Sequence, residues 1–395
     1  METEVSYAIP AGMRDWLPDE AYLRRDITNE LLNQMARWGY SEIATPVLEY
    51  YQVLTKVEEG NGPDHLYKLI DRDGSILALR PEMTTPIARI AGGKLTGSEP
   101  WRLMYGAQVF RYENIQAGRQ REFNQAGVEL IGQKGPEADC EVLALAIEAL
   151  LSIGLTNFTV SLGHMGVLRG LLETLSWEAK DLAKVRSLVL EKDFVGLRHF
   201  FEKAGLESAK QEQLLGLLTQ PIAAEDITQL MSGLPPCLQT ALAELREILH
   251  LLENYGYGSY IQLDLSTLRS QTYYTGMVFE IYTAGIGYPI GGGGRYDKLL
   301  RNFGKDYPAT GFALGIERLL LSLPPKDKKS QKIFLAAESF AANKIRLLQE
   351  AKTLRNSGRA VVVDLRDLTK EQAQELAEKK NAELVWLTEV KNNGK

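Results

Sequence analysis

Cysteine is scarce: Cys140 and Cys237 are the only two in 395 residues, far apart, which excludes a disulfide framework or a thiolate metal site. Histidine is nearly as rare. His65, His164, His199 and His250 are scattered, and none forms the two-histidine helical motif with a carboxylate that would hold zinc, so no metal is expected. No apolar run reaches the roughly 18 residues of a membrane span. The opening METEVSYAIPAGMRDW also lacks the order of charged, apolar and small residues that marks a leader, and a cytoplasmic protein that meets no membrane is expected. Surplus positive charge is missing as well. The 45 Lys and Arg stand against 51 Asp and Glu, a net charge of −6, which makes tRNA an unfavoured partner because nucleic-acid surfaces neutralise many phosphates. A local basic groove stays compatible with that balance.

What is present is a globular chain, 45% hydrophobic and 24% charged, long enough for two or three domains. Pro18, Asp19 and Glu20 open an amphipathic helix in which Leu23, Ile27, Leu31, Met35 and Trp38 recur at helical spacing until Gly39. SEIATPVLEYYQVL reads as a strand ending near Pro46, and LYKLIDRDGSILALR as a hairpin turning at Arg72-Asp73-Gly74. Two further strands, RLMYGAQVFRYE and REFNQAGVELIG, flank the polar loop NIQAGRQ. A helix from about Glu137 to Gly154 and the strand NFTVSLG follow. The expected organisation is a core over residues 1–164, a Leu-rich helical insertion over 165–256, a return to the core over 257–324, and a small β-α-β-α-β domain over 330–395. The charged segment Lys326–Lys329 separates the last two.

Five blocks carry a resemblance. IPAGMRDWLPDEA through GYSEIATPVLE is similar to the first motif of class II aminoacyl-tRNA synthetases, whose helix and proline-ended strand form a dimer interface. Residues 110–132, FRYENIQAGRQREFNQAGVELIG, resemble the second motif, and GGGGRYDKLL with PATGFALGIERLLL resembles the third. LALRPEMT and LRSQTYYTGMVFE resemble blocks specific to the histidyl branch. The resemblance spans residues 7 to about 322 and implies an α+β fold, a class II synthetase-like antiparallel sheet flanked by helices.

The same likeness implies a histidine pocket. Free histidine presents an ammonium, a carboxylate and an imidazole, so a selective site needs acceptors, a cation and a polar partner for the ring. By resemblance Glu82, Thr84 and Gln125 face the ammonium, Arg269 lies near the carboxylate, and Glu129 and Tyr274 hold the imidazole with Tyr273 beside them. Taken singly, the glutamates would read as solvated charges and the tyrosines as core. Glu129, however, sits beside Leu130 and two residues from Gly127 in an otherwise apolar strand, a poor place for an unpartnered carboxylate. Arg111, Glu113, Arg121 and Arg318 match the family's nucleotide-binding positions, where a planar guanidinium pairs with phosphate oxygens and stacks on a base.

Two departures narrow the resemblance. Synthetases of this branch usually read RPEGT and RGLDYY, whereas this chain has Met83 for the glycine and Ser270, Gln271 and Thr272 for Gly-Leu-Asp. A methionine there is expected to project a long side chain towards the nucleotide region. Only about 65 residues follow Ser330, fewer than an anticodon-binding domain needs. A histidine pocket with altered neighbours is similar to the synthetase paralogues that serve as regulatory subunits of ATP phosphoribosyltransferase. That likeness implies a protein with no catalytic residues and no cofactor, whose partner is the short-form catalytic subunit and whose effector is L-histidine. It also implies a homodimer within a hetero-oligomer. A minimal histidyl-tRNA synthetase, or an adenylating enzyme acting on another carrier, is the alternative.

Overall fold

The computed structural model describes residues 8–57, 65–97, 100–112, 120–175, 177–219, 222–223, 226–231, 234–268, 273–324 and 332–388. They fall in two compact units, Met1–Leu323 and Pro324–Lys395.

Helix α1 (Pro18–Arg37) starts where Pro18 pre-sets the first turn and Asp19 and Glu20 face the positive end of the dipole. It buries Ile27, Leu31 and Met35 and stops before Gly39, whose φ of +81° suits glycine. The segment expected as one strand is two. β1 (Ser41–Glu42) joins the main sheet beside Leu103 and Met104, while β2 (Leu48–Tyr50) follows Pro46 into a small sheet and runs into α2 (Tyr51–Thr55). A proline lacks the amide that would continue a ladder, which explains the break. The hairpin forms as expected from β3 (Lys68–Ile70) and β4 (Ile76–Leu79), with Gly74 at φ +85°.

α3 (Thr84–Gly93) precedes the long antiparallel pair β5 (Trp101–Phe110) and β6 (Glu122–Ile131). α4 (Pro136–Ser152) leads to β7 (Phe158–His164), and then come α5 (Met165–Leu175), α6 (Ala179–Leu190), α7 (Phe194–Lys203), α8 (Ser208–Thr219), α9 (Ile227–Leu230) and α10 (Pro236–Asn254). β8 (Ile261–Leu263), β9 (Met277–Thr283), β10 (Gly291–Arg295), β11 (Ala309–Gly315) and α11 (Ile316–Ser322) finish the first unit. The main sheet has the order β1-β5-β6-β11-β10-β9-β7-β8, antiparallel except where β1 meets β5 and β7 meets β8.

Residues opposite one another in a ladder share a face, and successive residues alternate. Register therefore puts Leu103, Glu129, Gly311 and Gly294 on one face, called the front, and Arg102, Leu130, Thr310 and Arg295 on the back. The back packs against α1, α4 and α10 through a large apolar cluster that includes Leu31, Val128, Leu143, Leu162, Leu245 and Phe279. Helix α10 thus belongs to the back layer of the core, whereas α5 to α8 bury a second cluster around Leu171, Val189, Leu197 and Phe201 that also takes in Val278 of β9. At the front, Ile87, Ala88 and Ala91 of α3 pack with Leu103 and Tyr105.

The second unit is the expected β-α-β-α-β arrangement: β12 (Lys332–Ala337), α12 (Phe340–Asn356), β13 (Ala360–Val363), α13 (Lys370–Lys379) and β14 (Glu383–Leu387). Its three strands are parallel in the order β13-β12-β14, with one helix on each face. Among the described residues no helix is long and apolar enough to cross a membrane.

Candidate functional site

Glycine clears the front face. A Cβ on Gly311 would lie 2.1 Å from Glu129 Oε2 and 2.3 Å from the Val128 carbonyl, and one on Gly127 would lie 2.6 Å from the Tyr105 hydroxyl. Only backbone fits there, so the carboxyl of β6 and the phenol of β5 occupy the volume that side chains would fill.

Glu129 is the centre of the resulting constellation, 2% exposed. Its Oε1 accepts from the Thr84 hydroxyl at 2.8 Å and its Oε2 from the Tyr296 hydroxyl. Burial pushes its pKa up to about 8, against the pull of the Tyr296 and Thr84 donors and with a push from the charge of Glu82. At neutral pH the ligand-free carboxyl therefore keeps its proton, and a ligand donating an N–H or carrying positive charge favours its ionisation. Burial, with Glu129 beside it, raises the Tyr296 phenol well above its ordinary value, so Tyr296 stays a donor.

Glu82 turns to the start of α3, where its carboxylate accepts from the amides of Thr84 at 2.5 Å and Thr85 at 3.0 Å, groups a helix leaves without internal partners. Thr84 is thereby fixed by its amide while its hydroxyl reaches Glu129. Gln125 lies on the same face of β6 as Glu129, and its Oε1 is buried with no donor among the described residues, an acceptor suited to an ammonium. Tyr273 lies 4.7 Å from Tyr274 and 5.9 Å from Tyr296, ring centre to ring centre, the latter edge to face. The structure thus brings together Glu82, Thr84, Glu129, Tyr273 and, newly, Tyr296.

The arginines are held by carbonyls and rings. Arg111 donates to the Pro81 carbonyl at 3.0 Å beside the Phe123 ring. Arg121 lies over the Tyr112 ring at 3.9 Å, and Arg318 donates to the Pro289 carbonyl at 2.6 Å with Tyr288 beneath it. Glu113 and Arg269 lie outside the described residues.

The sequence pattern of the histidyl-tRNA synthetase family matches residues 12–319. The chain is 40% identical over 393 residues to the ATP phosphoribosyltransferase regulatory subunit of Moorella thermoacetica, covering 98% of this chain and 100% of that one. This chain belongs to the ATP phosphoribosyltransferase regulatory subunit family. The namesake from Desulfitobacterium hafniense (strain DSM 10664 / DCB-2) is 38% identical, with 96% and 97% of the two chains covered. A crystal structure of an ATP phosphoribosyltransferase regulatory subunit/histidyl-tRNA synthetase from Bacillus halodurans C superposes with a TM-score of 0.87 at 33% identity, covering 98% of this chain and 100% of that one. Histidyl-tRNA synthetase from Nostoc sp. PCC 7120, at 22% identity and a TM-score of 0.82 over 98% of this chain and 92% of that one, shares the fold.

Within this regulatory-subunit framework two site features differ from the sequence expectation. Met83, expected to project towards the nucleotide region, is instead 1% exposed, in one apolar cluster with Ile87, Leu103 and Tyr105, and its sulfur accepts from the Thr45 hydroxyl at 3.9 Å. Tyr296 and Tyr105 were not singled out from the sequence, although GGGGRYDKLL contains the first. Their signal was parity: Tyr296 is two residues beyond Gly294, on the Glu129 face, but that argument needs the register of β10.

Proposed function

We propose that this chain is the non-catalytic regulatory subunit of a short-form ATP phosphoribosyltransferase, required for the first step of histidine biosynthesis, and that L-histidine bound at the front face conveys feedback inhibition. The observation that carries this reading is the buried Glu129 carboxyl, poised between the Thr84 and Tyr296 hydroxyls in a glycine-cleared pocket. An imidazole N–H supplies the charge-assisted donor that would ionise it, while Gln125 offers an acceptor for the ammonium. The names of the relatives support the catalytic subunit as partner.

A homodimer within the hetero-oligomer is supported by the small sheet β2-β4-β3. Leu48, Tyr50, Leu69, Leu77 and Leu79 share one of its faces, and Leu48, Tyr50 and Leu69 are 42%, 53% and 42% exposed. Contiguous apolar surface of this kind marks an interface.

Arg111, Arg121 and Arg318 favour a second reading, a minimal histidyl-tRNA synthetase. Two assays separate the readings. Calorimetry on the purified chain is expected to show L-histidine binding over other amino acids, weakened by about 1–3 kcal/mol in Glu129→Ala, the scale of an unsatisfied buried partner. Aminoacylation of cognate tRNA is expected to fail; charging near a synthetase rate would promote the second reading, and absence of histidine binding by folded protein would end the first.

A further inference from the structure

Behind the sheet lies a cavity of about 340 Å3, within the size range of small-molecule sites. It opens where the ends of β7 and β10 meet the first turns of α4 and α5 and the face of α10. Register places it opposite the Glu129 pocket: Arg295 and His164 point to the back, while Gly294 and Tyr296 belong to the front.

Beside this cavity the back face carries apolar side chains such as Leu162, Phe279 and Phe312. Around this cavity it carries charge. Arg295, 6% exposed, donates from Nε to Asp139 Oδ2 at 3.0 Å and from Nη1 to Asp297 Oδ1 at 3.0 Å, and its Nη2 stands 2.9 Å from Asp139 Oδ1. His164, 5% exposed, accepts from the Gly166 amide at Nδ1, so Nε2 carries the proton and donates to Glu244 Oε2 at 2.9 Å. Buried charge of this kind is a poor stabilising device, because well-packed apolar residues serve as well or better. Here it surrounds unfilled space instead.

The uncommitted charges decide what that space accepts. Asp139 and Asp297 are engaged by Arg295, and Glu244 by His164. Lys134 and Arg169 also line the cavity, both are exposed, and neither has an ion pair among the described residues. We propose that this back-face cavity is a second small-molecule site, separate from the histidine pocket, for a small organic anion whose phosphate or carboxylate is held by Lys134 and Arg169. Glu244, half exposed, accepts from a hydroxyl or amino group on the same ligand.

The test uses the full chain, titrated calorimetrically with inorganic phosphate and separately with malonate, at ionic strength held constant with chloride. Saturable binding of at least one probe is expected, weakened at least about tenfold in Arg169→Ala and again in Lys134→Ala. Both side chains are exposed, so thermal unfolding should match the wild type, and the heat of L-histidine binding should be unchanged. Preference for phosphate assigns a phosphate ester, and preference for malonate a carboxylate. No saturable heat from either probe up to about 10 mM would overturn the proposal. So would binding that survives both substitutions, including phosphate captured by Arg111, Arg121 or Arg318. Should Arg169→Ala fail to fold, Lys134→Ala alone decides.

Discussion

At the residue scale the account turns on one proton. The folded-state pKa of Glu129, about 8, lies above the ordinary 4.5 that it takes in the unfolded chain. Below 4.5 both states hold the proton; between the two values the unfolded chain releases it and the folded protein keeps it, so stability falls as pH rises. The slope reaches at most about 1.4 kcal/mol per pH unit and levels off once the folded carboxyl has ionised. Urea unfolding of ligand-free Glu129→Gln across this window is expected to lack that slope, its advantage over wild type growing towards high pH. Parallel curves would contradict the assignment. Tyr296→Phe removes a donor that pulls the Glu129 pKa down, so its slope should extend to higher pH, and histidine should bind more weakly by about 1–3 kcal/mol. The carboxylate was legible in the sequence because an acidic residue among apolar neighbours needs a partner. Its partner was not, because Tyr296 reaches it across 167 positions of chain.

At the scale of elements, glycine strands do what side chains usually do. Glycine is depleted in strands and carries no apolar pattern, so GGGGR gave no strand signal; only its two neighbours in the sheet make β10 a strand. The same holds for the assignment of α10, whose amphipathic period predicts a helix but not which layer it covers. Gly311→Ala places a methyl against Glu129 Oε2 and the Val128 carbonyl, and should cost about 1–3 kcal/mol in denaturant unfolding while displacing Glu129 and weakening histidine binding. Asp139→Asn tests the tie between α4 and β10. Leaving Arg295 buried beside a neutral amide should destabilise the fold by about 3–5 kcal/mol, and a change below 1 kcal/mol would show that Asp297 alone suffices.

At the scale of the whole molecule, alternation across the sheet separates two environments: the front holds the Glu129 constellation, the back the buried core and the charged cavity. Helix periods and the hairpin turn were readable; the front-and-back division required strand register. The exposed apolar face of the small sheet makes the oligomeric state testable. Leu69→Glu is expected to shift sedimentation towards monomer without lowering the melting temperature of the monomeric fold, and an unchanged sedimentation coefficient would remove that face from the interface.

The most direct measurement mixes this chain with a short-form ATP phosphoribosyltransferase catalytic subunit and follows turnover against L-histidine concentration. An effector inhibits a distant site only by binding the active and inactive assemblies with different affinity, a coupling on the order of 1–3 kcal/mol. The wild-type chain should co-elute with the catalytic subunit and confer histidine inhibition, and Glu129→Gln should co-elute, sustain the same uninhibited turnover and require a higher histidine concentration for inhibition. Full histidine sensitivity in the Glu129→Gln complex, or no complex with wild type, would contradict the account.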